Sequence, residues 1–121
     1  MKRNFPSTLE GLAACQAFLA EVCVDPKPQI ITDEIVSNIV RCSGSPDFDV
    51  EIVEGEGELR LIFSDRGSPF DPTKTDDPDI TASAEERGIG GLGLFMVRKM
   101  SKSVVYGRRD DENVLTVVIA R

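Results

Sequence analysis

Two stretches of the chain alternate apolar and polar residues on either side of a turn, and few architectures accept such a pair. In "FDVEIVEGEGELRLIFSD", Val50 and Ile52, then Leu59, Leu61 and Phe63, take every second position, with "GEGE" around Gly55 and Gly57 between them. A period of two marks a half-buried strand, so this stretch predicts a β-hairpin. "SVVYGRR" and "NVLTVVIAR", joined by "DDEN", predict a second one. Ahead of them, Leu9, Leu12, Ala13, Cys15, Phe18, Leu19 and Val22 recur at helical spacing behind a Ser7 or Thr8 cap. "DPKP" (Asp25 to Pro28) is expected to break that helix, and a second should run from about Gln29 to Cys42 before a turn at "SGSPD". A third helix ends near Met100. This order predicts an α+β fold, a two-layer sandwich whose mostly antiparallel, mixed sheet carries its helices on one face. A crevice would then lie between the helices and the open end of the sheet.

The length of 121 residues fits one domain, 1–121, and 40% hydrophobic residues suffice to fill one core. No stretch approaches the roughly 20 apolar residues of a membrane span. The N-terminal "MKRNFPSTLEGL" lacks the apolar centre of a secretory signal, so a cytoplasmic location without membrane contact is expected. Cys15, Cys23 and Cys42 are odd in number and have no Cys-x-x-Cys spacing. They are expected to be small buried hydrophobes rather than a disulfide framework or a zinc site. The net charge of −7 disfavours direct binding to nucleic acid. The chain has no histidine. That excludes a phospho-relay histidine in cis and serine–histidine triads, leaving acid–base work to a carboxylate, a lysine or a held water.

Three segments are candidates for chemistry. "RGIGGLGLFMVRKM" places Gly88, Gly90, Gly91 and Gly93 at the mouth of a helix. Glycine weakens a helix interior, but at the N-terminus it lets unpaired backbone N–H groups approach a phosphate. By itself the run also fits a hinge. "TDEIVSNIV" stacks Glu34 and Asn38, four apart, along the border of an apolar stripe. The carboxylate suits deprotonation of a nucleophile and the amide oxygen suits Mg²⁺, although a solvated helix face reads the same way. "FSDRGSPFDP" ends an apolar strand in Asp65, with Gly67 in the turn behind it. A carboxylate there can accept an exocyclic amine such as that of adenine, and Gly67 would clear space for a flat base. A plain Asp–Gly turn is the ordinary alternative. The Pro- and Asp-rich stretch from Arg66 to Arg87 exceeds the roughly 12–15 residues beyond which structureless loops are uncommon in compact domains. Such a stretch is a functional lid or a disordered segment, and a flexible lid over about 68–87 is the expectation.

Taken in order, "EIVSN", "DRGSPFDP" and "RGIGGLGLFMV" resemble the N box and the two glycine boxes of the GHKL ATPase superfamily, which has the Bergerat fold. The short chain, "GGLGLFMVRKM", "FDP" and the terminal "NVLTVVIAR" are most similar to the anti-sigma-factor serine/threonine kinases of partner-switching systems. The resemblance covers about Gln29 to Arg121 and extends weakly over the first helix. Two features depart from the family: the strand that usually precedes that helix is short or missing, and Arg41-Cys42 stands where a small residue and a histidine are common after the N box.

The resemblance implies a protein kinase that uses ATP and Mg²⁺. Its substrate would be a serine or threonine of an anti-sigma factor antagonist, and its client a sigma factor or a similar regulator. It implies Glu34 as general base and Asn38 as the Mg²⁺ ligand bridging to the ATP phosphates. Asp65 would accept from the adenine amino group, with Gly67 under the base. Gly88, Gly90, Gly91 and Gly93 would cradle the phosphates, Arg87 would approach the γ-phosphate, and Thr116 would sit near adenine through water. Members of the family often form homodimers. The alternative is a nucleotide-gated protein-binding module of the same fold with little or no kinase activity.

Overall fold

The computed structural model describes residues 1–69 and 91–120. Strand β1 (Lys2–Pro6) leads into helix α1 (Leu9–Val22), and helix α2 (Pro26–Asn38) continues into a π-helical turn, Ile39–Ser43. Strands β2 (Asp47–Gly55) and β3 (Glu58–Asp65) form the first hairpin. Helix α3 (Gly91–Met100) precedes the second, β4 (Ser103–Arg109) and β5 (Glu112–Ala120). The strands lie in the order β1-β2-β3-β5-β4. Every neighbouring pair is antiparallel, so the sheet contains no parallel pairing among the described residues.

Local chemistry explains the boundaries. The Thr8 side chain accepts from the Gly11 N–H at 3.0 Å and starts α1. "DPKP" begins α2 rather than merely ending α1: Asp25 caps it by accepting from the Lys27 N–H, and Pro26 takes the first helical position. Proline is at home there because the first N–H groups of a helix have no intrahelical partner. At the other end the helix widens into a π turn immediately after Asn38, and Gly44 at φ 76° ends it. The second hairpin turns on Asp110 and Asp111, both at positive φ, so Glu112 and Asn113 of "DDEN" belong to β5. Aspartate tolerates this backbone region better than most residues.

One sheet face is apolar and covered by the helices. Val50, Ile52, Leu59, Leu61, Phe63, Leu115, Val117 and Ile119 meet Phe18 and Leu19 of α1, Ile31, Ile35 and Val36 of α2, and Val97 of α3 in one buried cluster. Gly11, not Leu9, faces inward at the start of α1, because an added Cβ would lie 1.8 Å from the Pro6 carbonyl oxygen. Leu9 is exposed. Of the cysteines, Cys15 is buried and burial pushes its thiol up to about 12, whereas Cys23 is half-buried and Cys42 exposed, contrary to a uniformly buried set.

Arg66 ties three strands together at one end of the sheet through Asp47, Asp49 and Glu112. Its hydrogen bond holds the Asp47 carboxyl below its ordinary 3.8, and Lys102 does the same for Glu58 below 4.5. Both groups bind their protons less tightly when folded, so their contribution is present above those values and lost as pH falls through the depressed ones. Thermal midpoints should therefore stay level at neutral pH and fall below about pH 4.5. The Asp47→Asn variant should show a shallower acid decline, and a decline equal to wild type would contradict this assignment.

Candidate functional site

An open cleft lies where α2 and its π turn meet the ends of β3, β4 and β5. Ile35 and Ile39 form one apolar wall, and Phe63 and Leu115 of the sheet form the other. Asn38, Asp65, Tyr106 and Asn113 supply its polar groups. A narrow apolar slot with a few placed polar groups is the usual form of a site for a flat organic ligand.

Asp65 is the last residue of β3 and lies opposite Phe48 and Asn113 in the sheet register, on the helix-covered face. It is only 5% exposed. A buried carboxylate is costly unless it accepts hydrogen bonds. Here Oδ1 accepts from the Gly67 N–H at 2.9 Å and from Asn113 Nδ2 at 3.1 Å. Among the described residues no donor reaches Oδ2. The carboxylate is thus half satisfied by the fold, on a wall of the cleft.

Gly67 has a different reason for being glycine than clearance for a base. An added Cβ would stand 2.1 Å from the Ser43 carbonyl oxygen, which also accepts from the Ser68 N–H at 3.0 Å. Ser45 braces the same junction: its Oγ accepts from the Arg66 N–H at 3.1 Å and donates to the Asp47 carbonyl. The chain leaving β3 is therefore laid directly on the end of the π turn, which sets the distance between Asp65 and Asn38's helix. Gly67→Ala should cost about 2 kcal/mol of stability, or roughly 6–10 °C in melting temperature. An unchanged melting curve would show that this contact is not tight.

Asn38 closes α2 on the cleft side, and its Oδ1 accepts from Arg41 Nη2 at 2.6 Å. Glu34 stands one helical turn earlier, half-buried. It does not line the cleft; it borders a neighbouring shallow groove between α1 and α2 with Gln16, Gln29 and Ile30. Gly91 and Gly93 lie in the first turn of α3, which packs against α2. Arg87, Gly88, Gly90 and nearly all of the lid expected over 68–87 lie outside the described residues.

Thr116 is not at this site. Strand alternation turns it to the uncovered face, beside Ile62 and Val105, while Asn113, Leu115, Val117 and Ile119 face the helices. The polar group that β5 gives to the cleft is Asn113, which sequence reasoning missed. The signal was present: Asn113 continues the every-second-residue series of buried positions in β5, and an amide in such a series needs polar partners. Tyr106 and Arg108 of β4 were missed as well; the sheet register sets them opposite Leu115 and Asn113 on the same face.

Comparison with known proteins identifies the family. The model of the histidine kinase-like ATPase domain family matches residues 5–119. The serine/threonine-protein kinase BtrW of Bordetella bronchiseptica is 30% identical over 92 residues, covering 73% of this chain and 65% of the relative. The serine-protein kinase RsbW of Listeria monocytogenes is 31% identical over 105 residues, covering 80% of this chain and 66% of the relative. The chain thus spans slightly less than two thirds of the length of these relatives. The nucleotide-free catalytic domain of the histidine kinase ThkA superposes with a TM-score of 0.54 at 12% identity, over 99% of this chain and 97% of that one, and shares the fold. With a family match across almost its whole length and two kinase relatives at about 30% identity, the chain belongs to the histidine kinase-like ATPase domain family and resembles its anti-sigma kinase branch.

Proposed function

We propose that this domain binds Mg²⁺-ATP in the cleft and transfers the γ-phosphoryl group to a serine or threonine hydroxyl of an anti-sigma factor antagonist. By that transfer it would regulate a sigma factor or a similar client through partner switching. The observation that carries the reading is Asp65: a buried carboxylate on the wall of an apolar slot, oriented by the fold, with one oxygen that no donor reaches among the described residues. An adenine amino group is the donor that such an oxygen lacks, and the apolar walls suit the faces of the base.

One protein oxygen, Asn38 Oδ1, suits a magnesium ion carried in by ATP, and among the described residues no cluster of three or more His, Cys, Asp or Glu offers a further site. Mg²⁺ commonly takes one or two protein oxygens and fills its other positions with phosphates and water. Asn38 Oδ1 would be the protein oxygen, released by the exposed Arg41. When bound, the ion offsets phosphate charge, and phosphoryl transfer needs mainly that and positioning. Backbone N–H groups near the start of α3, with Gly91 and Gly93, would face the phosphates, and Arg87, Gly88 and Gly90 are proposed to complete that cradle. Glu34, which lines the shallow groove between α1 and α2, would take the proton of the attacking hydroxyl. A cytoplasmic setting, a single functional domain over 1–121 and homodimerisation belong to the same proposal. Among the described residues no helix is long and apolar enough to cross a membrane.

A second reading is favoured by two observations. Arg41 already holds the Asn38 oxygen, and Glu34 lies outside the cleft. A nucleotide-gated binding module with little catalysis would look the same. Incubation with γ-labelled ATP and candidate antagonist proteins separates the two. Label on an antagonist serine or threonine supports the kinase; ATP binding with no transfer to any candidate supports the binding module.

A further inference from the structure

Asn113 has its amide engaged on both sides, and the chemistry of its partners fixes which way round it sits. Its Oδ1 accepts from Tyr106 Oη at 2.5 Å and from Arg108 Nη1 at 3.2 Å. Its Nδ2 donates to Asp65 Oδ1 at 3.1 Å and to the Ser68 carbonyl at 2.9 Å. A guanidinium only donates, and a carbonyl or a carboxylate only accepts. A flipped amide would set N–H against N–H at Arg108 and oxygen against oxygen at Asp65. Arg108 Nη1 also donates to the Gly67 carbonyl at 2.8 Å, so one guanidinium spans Asn113 and the turn whose N–H holds Asp65.

We propose that Tyr106 and Arg108 are positioning residues that, through Asn113, set the selectivity of the cleft for a 6-amino purine over a 6-oxo purine. The inference rests on the reading of the cleft as an ATP site. Asp65 Oδ1 is occupied by two N–H donors only while the Asn113 amide is held in this sense. The remaining oxygen then accepts from the ligand. An amino group at position 6 satisfies it, whereas a carbonyl at that position sets two acceptors against each other and leaves a buried charge unpaired. Neither Tyr106 nor Arg108 needs to touch the base for this. They act by preventing Asn113 from turning and Asp65 from following it.

The test is equilibrium binding of Mg²⁺-ATP and Mg²⁺-inosine triphosphate, which differ in the amino or oxo group at position 6 and in the hydrogen that the oxo form carries on N1. Wild type should prefer ATP by about 100-fold, as expected where a site built to hydrogen-bond one group meets a mismatched one. Arg108→Leu, an exposed side chain, should shrink that preference about tenfold, and Tyr106→Phe, which loses one oxygen atom, about threefold. Inosine triphosphate affinity should stay within about twofold in both, and Arg108→Lys should regain part of the preference because a lysine still donates. Equal losses for both nucleotides would mean a merely structural role and overturn the proposal. Unchanged preference in both variants would overturn it as well. Wild type that binds ATP without preferring it would refute the selectivity and leave the ATP reading intact, whereas wild type that binds neither nucleotide would refute both.

Discussion

Replacing Glu34 by glutamine should lower phosphoryl transfer to the antagonist by about 100- to 10,000-fold, the usual worth of a positioned general base. ATP affinity should stay within about twofold of wild type, because Glu34 does not line the cleft. The geometry makes this separation sharp. Asn38 borders the slot that would hold the nucleotide, while Glu34, one turn earlier on α2, borders the groove beside it. The exposed Ile30 and the polar Gln29 border the same groove, as a protein-facing surface would. Initial rates of label transfer, measured alongside calorimetric ATP titration, check both halves. Full transfer activity in the Glu34→Gln protein would remove Glu34 from the mechanism, and a parallel loss of ATP affinity would place it in the nucleotide site instead.

Asp65→Asn should weaken ATP binding by about 100-fold, equivalent to roughly 3 kcal/mol. The substitution is informative because of what it keeps. An asparagine oxygen still accepts from Gly67 and Asn113, so the turn after β3 stays supported. The other oxygen becomes an NH₂ group, which sets donor against donor at the adenine amine and removes the charge that strengthened the bond. Melting temperature should therefore change little while affinity falls. Calorimetry with Mg²⁺-ATP on folded protein tests it, and undiminished affinity would show that the base lies elsewhere.

How far the sequence could be read depended on whether a feature was local. Both hairpins were legible because strand alternation and turn residues act over a few positions, and the first turn closes as expected, with Gly57 at φ 71°. Asp65 and Asn38 were legible as polar residues at the edges of apolar patterns, and the fold brings both into one cleft. Features that depend on two distant segments were not. Gly67 is glycine because of Ser43, 24 residues earlier, and no turn rule contains that contact. Thr116 was carried over from a resemblance, but one residue of offset in a strand reverses the face, and the buried polar position in β5 is Asn113. "DPKP" was read as a breaker because proline ends helices more visibly than it begins them, although Asp25 ahead of Pro26 is a start signal. The short β1 has little alternation of its own and is recruited by pairing with β2.

The claim on which the rest depends is that one nucleotide occupies the slot between α2 and the end of β3. A crystal structure with Mg²⁺ and a non-hydrolysable ATP analogue tests it most directly. The account predicts the adenine amino group about 2.7–3.2 Å from the Asp65 carboxylate, with Asn38 Oδ1 turned from Arg41 to the metal and the triphosphate at the start of α3. An analogue bound elsewhere, or a slot left empty with Arg41 still on Asn38, would contradict it.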